Sequence, residues 1–86
     1  MKNKTILVIG GCGNKMHDIT NSLVEDNKVI VIDKLSTGDI YSVDNAVTVY
    51  EDDIRNTKRV NDVLKEHKID YILDLITAKY KLNTYR

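Results

Sequence analysis

The chain has 86 residues, a length that points to one domain with a modest core. Its 42% hydrophobic and 30% charged residues are the mix of a soluble globular protein, and thirteen basic side chains balance thirteen acidic ones, which speaks against nucleic acid or an acidic membrane surface as a partner. The single cysteine, Cys12, has no partner for an internal disulfide, which fits a reducing, cytoplasmic setting, and the apolar run at the N-terminus stops at Gly10, too short for a signal-peptide core or a membrane span.

In chain order, "TILVIG" (Thr5–Gly10) is a continuous apolar run ending in glycine and reads as a strand buried on both faces. Glycines crowd the next positions, and then Met16, Ile19, Leu23 and Val24 recur at helical spacing. Asn14 is the expected N-cap and Asn27 the expected stop. "KVIVID" (Lys28–Asp33) is a second buried strand with an acid at its end. "KLSTGDIYSVDN" holds no period and reads as loop. "AVTVYED" alternates Val47 and Val49 with Thr48 and Tyr50, a third strand. Val60, Val63, Leu64 and His67 share one face of a second helix capped by Asn56. "IDYILDLIT" (Ile69–Thr77) is a fourth strand, and residues 78–86 form a cationic tail, helical or frayed, beyond a domain of residues 1–77. No proline, tryptophan or phenylalanine is present, so Ile, Val and Leu must build the core.

Alternating strands and helices imply an α/β fold with a parallel sheet. Right-handed crossovers predict the order 3-2-1-4, with the two helices on opposite faces. The fourth strand would then be an exposed apolar edge. It is expected to pair with a symmetry mate in a homo-oligomer, with another protein, or with the chain's own tail.

A glycine turn between a strand and a helix N-terminus suits a pyrophosphate, because backbone N–H groups and the helix dipole both favour an anion there. Gly10, Gly11 and Gly13 occupy that turn, and Asp33 lies 23 residues after Gly10. A strand-end carboxylate can accept both ribose hydroxyls of an adenosine and disfavours a 2′-phosphate, which points to NAD over NADP. Cys12 reads as a small residue in the loop rather than an activated thiol. Asp52 and Asp53 resemble a carboxylate pair, but strand neighbours point to opposite faces, which argues against an acid/base dyad. His17 and His67 are too few and too separate to suggest a metal.

Four stretches in order resemble the N-terminal half of the NAD-dependent epimerase/dehydratase family of extended short-chain dehydrogenases/reductases. "ILVIGGCG" is similar to the family's T-G-G-A-G-F-I-G turn, and "VIVIDKLSTG" to its V-V-x-D-N-L-S-T-G. "VYEDDIRN" is similar to F-x-x-G-D-I-R-D, and "VLKEHKIDYILDL" leads into a strand that resembles D-x-V-I-H-L-A-A. The resemblance implies a truncated Rossmann-like sheet. It implies that Gly10 and Gly13 line a pyrophosphate, that Asp33 holds the adenosine ribose, and that Asp53 and Ile54 flank the adenine. Lys34, Leu35 and Ser36 would border the adenosine.

The chain also departs from that pattern. Met16 replaces the third glycine, which lets the helix sit close to the sheet, and Asn14-Lys15 replace an aromatic–aliphatic pair. Asp74-Leu75-Ile76-Thr77 stand in place of His-Leu-Ala-Ala, so Ile76 would intrude where the nicotinamide half lies. The family's catalytic tyrosine has a lysine four residues later, and no tyrosine here does; Tyr71, for instance, is followed at that spacing by Leu75. The expectation is a stand-alone NAD- or adenine-nucleotide-binding module, not active alone. The alternatives are an interaction or structural protein with a defunct site, or one part of a split epimerase/dehydratase.

Overall fold

A computed structural model describes residues 2–12, 16–35, 39–75 and the backbone of 81–84. The strands are β1 (Thr5–Ile9), β2 (Lys28–Asp33), β3 (Thr48–Glu51), β4 (Tyr71–Asp74) and β5 (Lys81–Thr84). The helices are α1 (His17–Val24) and α2 (Thr57–Glu66), and a 3-10 turn spans Ile40–Ser42. One sheet runs in the order β3-β2-β1-β4-β5. The first four strands are parallel, in the predicted 3-2-1-4 order.

The two central strands explain why the apolar runs are continuous. Ile6, Leu7 and Val8 of β1, and Val29, Ile30 and Val31 of β2, are all fully buried. Side chains alternate across the sheet, so each strand feeds two cores. Ile6, Val8, Val29 and Val31 face α1, where Met16, Ile19, Leu23 and Val24 pack on them. Leu7, Ile9, Ile30 and Ile32 face α2, which brings Val60, Val63 and Leu64. Burial of each such aliphatic side chain is worth roughly 1.5–3 kcal/mol. The predicted helix faces are therefore the ones used, with one exception: His67 lies just past the end of α2, as its C-cap, and meets Tyr50.

Boundaries follow local hydrogen bonding. Asn56 Oδ1 accepts the Arg59 N–H at 3.3 Å, the expected cap of α2. Asn27 stops α1 as expected: its Nδ2 donates to Leu23 O, while its Oδ1 accepts the N–H of Lys4. The start of α1 differs from expectation. The helix begins at His17, and Met16 occupies the N-cap with no side-chain bond to offer; Asn14 lies outside the described residues. β4 begins at Tyr71 rather than Ile69 because Asp70 acts as a clamp before it, and the expected end at Thr77 lies outside the described residues. The Asp70 N–H donates to Thr5 O at 2.8 Å, and its carboxylate accepts the Thr5 N–H at 2.9 Å.

The fourth strand is not left as an edge. Residues 81–84, read as part of a tail, form β5 antiparallel to β4, with Tyr71 opposite Thr84 and Asp74 opposite Lys81. Of the three partners open to β4, the chain uses its own tail.

The turn after β1 packs tightly. A Cβ on Gly11 would stand 2.7 Å from Thr20 Oγ1 and 2.9 Å from side-chain methyls of Val8 and Val31. Thr20 is fully buried, and its hydroxyl donates to Gly11 O at 2.8 Å. Cys12 joins the same core at 1% exposure. Burial, followed by the charges of Asp33 and Asp39, pushes its thiol up to about 11.

Three outcomes are expected. Gly11→Ala should destabilise the fold by about 1–3 kcal/mol in urea unfolding, since none of the three neighbours is the free end of a long side chain. The Cys12 thiol ionises near 8.5 when unfolded and near 11 when folded, so stability should be level below about pH 8.5 and fall as pH rises towards 11; Cys12→Ala should remove that part of the decline. A chain ending at Thr77 should lose amide protection along β4 and self-associate in sedimentation, whereas the full chain should not.

Candidate nucleotide-binding site

The carboxyl ends of β1, β2 and β3 lie side by side, which is where open α/β sheets hold ligands. Gly10 leaves β1 with φ at 79°, a conformation that costs other residues roughly 1–2 kcal/mol. Its N–H donates to Ile32 O at 2.9 Å, so the turn stays attached to β2 as it leaves the sheet.

Asp33 ends β2 and holds the strand ends together. Its Oδ2 accepts the Cys12 N–H at 2.9 Å, and its Oδ1 accepts the Leu35 N–H at 2.7 Å. Leu35 has φ at 59°, the left-handed region that a branched apolar residue rarely enters. The Asp33 bond to its amide holds it there. Cys12 O in turn accepts from Asp39 N at 3.2 Å, which ties Asp39 to the turn after β1. Each carboxylate oxygen still has a lone pair beyond the one these bonds use.

Beside Asp33 opens a cleft of about 230 Å³, lined by Ile32, Asp33, Lys34, Asp52, Asp53, Ile54 and Arg55. Four of the residues singled out from the sequence meet here: Asp33, Lys34, Asp53 and Ile54. Leu35 adjoins them through its bond to Asp33, and Gly10 lies on the β1 side of Asp33. Gly13 and Ser36 lie outside the described residues, as do Lys15 and Ile76.

The cleft also has members that the sequence reading did not place in it. Arg55 grips Asp53 with Nη2 at 2.7 Å and Nε at 3.1 Å, and its own N–H donates to Asp53 Oδ1 at 2.9 Å. These bonds hold the Asp53 carboxyl down to about 2. Asp52 accepts from Asp53 N at 2.8 Å, from Asn56 Nδ2 at 3.2 Å and from Arg59 Nε at 3.1 Å, and these bonds depress its carboxyl as well. The two acids are thus separately paired anions just past the end of β3, not a dyad sharing a proton. Asp52 N donates to Asp33 O at 3.1 Å, so the cleft is continuous with the β2 end. An Asp followed two residues later by Arg was the available signal for the grip on Asp53.

Among the described residues no three His, Cys, Asp or Glu side chains cluster as metal ligands, and no helix is long and apolar enough to cross a membrane.

No protein-family profile matches the chain. A UDP-glucose 4-epimerase from Lactobacillus helveticus is 38% identical over 78 residues, 90% of this chain and 23% of that protein. The crystal structure of UDP-glucose 4-epimerase from Thermotoga maritima with UDP-glucose superposes with a TM-score of 0.78 at 29% identity, covering 83% of this chain and 23% of that one. The Bordetella bronchiseptica enzyme WbmH, in complex with NAD+, superposes at 0.76 with 27% identity over 91% of this chain and 27% of that one. The chain therefore spans about a quarter of the length of these proteins. In strand order, in the succession of motifs and in these alignments, the chain is similar to the N-terminal portion of NAD-dependent epimerases/dehydratases.

Proposed function

We propose that this chain binds NAD through its adenosine half and performs no redox or epimerase step by itself. The observation that carries the reading is Asp33. Its carboxylate is oriented by the amides of Cys12 and Leu35, borders the cleft beside β3, and keeps acceptor capacity for two ribose hydroxyls. Ile32 and Ile54 give that cleft apolar surface for a base, with Asp53 and Arg55 as its polar wall. In this reading Gly10 and Gly13 pass the pyrophosphate, Lys34, Leu35 and Ser36 border the sugar, and Asp53 and Ile54 flank the adenine. The structurally similar WbmH is in complex with NAD+. When bound, NAD would supply hydride chemistry; the residues here only bind and orient its adenosine end. Catalytic groups would come from elsewhere, because Tyr41, Tyr50, Tyr71 and Tyr80 have no lysine four positions later. Sequence similarity to UDP-glucose 4-epimerases supports a nucleotide-sugar reaction as the setting; in this reading a partner or further chain supplies the rest of the site, and the compartment is the cytoplasm.

Met16 favours a second reading. Where the family pattern has its third glycine, Met16 sits at the α1 N-cap and packs on the core. A chain that had lost the pyrophosphate contact could persist as an interaction protein on the same fold.

Calorimetry on the full chain separates the two. The first reading expects saturable binding of both NAD and ADP, with NADP weaker because a 2′-phosphate would meet the Asp33 carboxylate. Asp33→Ala should weaken NAD by about tenfold or more, the loss of charge-assisted bonds worth roughly 1.5–3 kcal/mol each. Asp33→Asn should narrow the gap between NAD and NADP while circular dichroism stays unchanged. A folded chain that binds none of these nucleotides supports the second reading and overturns the first.

A further inference from the structure

β4 is an interior strand that is covered like an outer one. It lies between β1 and β5, yet Tyr71, Ile72, Leu73 and Asp74 are all only half-buried, whereas Ile6, Leu7 and Val8 of neighbouring β1 are sealed. The shortfall is on both faces: Leu73 joins the cluster under α1 and Ile72 the cluster under α2, each from the margin. Parallel sheets need both faces covered, and their crossover connections lay the helices that do it. β5 follows β4 after residues 75–80. A parallel neighbour needs a crossover of about a dozen residues or more, so β5 returns antiparallel. Such a return completes backbone pairing in the plane of the sheet, and among the described residues no helix follows β4. The ladder that holds β5 is short. Leu75 N–H donates to Ile9 O at 2.9 Å. Alternation then turns the backbone groups of Leu73 towards β1 and those of Ile72 and Asp74 towards β5, where they stand opposite Asn83 and Lys81.

We propose that β5 is a displaceable cover, and that the β4 edge beneath it is the docking surface for a second polypeptide carrying the remainder of an epimerase-like domain. This rests on the reading above, in which a partner or further chain supplies the rest of the site. The chain spans 23% of the Lactobacillus helveticus epimerase and 23% of the Thermotoga maritima one. In those relatives most of the polypeptide therefore lies beyond the part that this sheet matches. The occupant that fits is an apolar strand, parallel to β4 and flanked by helices. Laid in place of β5, it takes over the backbone groups of Ile72 and Asp74, and its helices cover Ile72 on one face and Leu73 on the other. Exchanging one strand for another leaves the backbone bonding nearly balanced. The gain is the apolar surface of β4 that β5 leaves half-open.

Two measurements test this. On the full chain alone, hydrogen exchange should show the amides of Lys81 and Asn83 exchanging through local opening, about a hundredfold or more faster than that of Leu73. In the second, the full chain is co-expressed with the Lactobacillus helveticus UDP-glucose 4-epimerase lacking its region similar to this chain, so that each can fold on the other. A one-to-one complex is expected by light scattering, in which Lys81 and Asn83 lose protection while Ile72 and Asp74 keep it. Asn83→Pro removes a donor to β4 and should tighten the complex about tenfold, at dilutions where the variant alone is monomeric, because more chains then present a free edge. Circular dichroism checks that the variant is folded. The complex can form with an empty cleft and NAD can bind without a partner, so this test and the calorimetry fail independently. Exchange of Lys81 and Asn83 only on global unfolding, no complex, a complex in which their protection persists, an Asn83→Pro chain that binds no tighter, or self-association of the full chain instead would overturn the docking surface.

Discussion

Two backbone N–H groups, those of Cys12 and Leu35, point at the two oxygens of Asp33. One belongs to the turn after β1, the other to the loop after β2. Hydrogen bonds to a charged acceptor contribute roughly 1.5–3 kcal/mol each. The left-handed conformation of Leu35 costs roughly 1–2 kcal/mol, so the pair of bonds outweighs that strain. Through Cys12 O and Asp39 N the same knot draws in the 3-10 segment, and through Asp33 O and Asp52 N it reaches the end of β3. Among the described residues, Cys12, Leu35, Asp39 and Asp52 are therefore tied together through one side chain and its backbone. In the proposed reading, the residue that would receive a ribose is also the one that shapes its surroundings.

The double-sided core makes that arrangement affordable in a small chain. β1 and β2 bury nearly every side chain, and each of their aliphatic residues contributes to one of two clusters. No aromatic ring fills the central sheet; β-branched and leucine side chains stack in alternation on both faces. The outer strands carry less. β3 and β4 are only partly buried, and β4 completes its hydrogen bonding with β5.

What could be read from the sequence was local or periodic. The continuous apolar runs identified β1 and β2, the spacing of Val60, Val63 and Leu64 identified the inner face of α2, and Asn56 announced its cap. The rule of right-handed crossovers then sufficed for the order of four parallel strands. β5 escaped because Lys81-Leu82-Asn83-Thr84 has no strand pattern of its own; unpaired groups on β4 create the demand for it. Asp33 was legible as a strand-end acid after a glycine turn, whereas Lys34, Asp53 and Ile54 were singled out only through the resemblance to the family's motifs. Thr20 was not, since a threonine on a helix is ordinary until its hydroxyl is seen against Gly11 O. Nor was Asp52 as a bridge to Arg59, which depends on how α2 turns back along β3.

Met16 then takes on a narrower meaning. The close approach expected of a third glycine is found instead between Gly11 and Thr20, where a Cβ has no room. Met16 attaches the start of α1 by side-chain packing on the core. That exchange preserves the fold but not necessarily a phosphate contact. Asp18, an exposed acid in the first turn of α1, already complements the positive end of the helix dipole that an incoming pyrophosphate would use. On the β2–β3 side no comparable competitor stands against a nucleoside: Asp52 and Asp53 are already paired with arginines, and Asp33 is oriented by backbone alone. In the proposed reading, the adenosine side keeps Asp33, Asp53 and Ile54 beside one cleft, while the pyrophosphate side departs from the family pattern at Met16. Affinity for this chain should therefore reside in the nucleoside, with the phosphates adding less than a helix N-terminus ordinarily contributes.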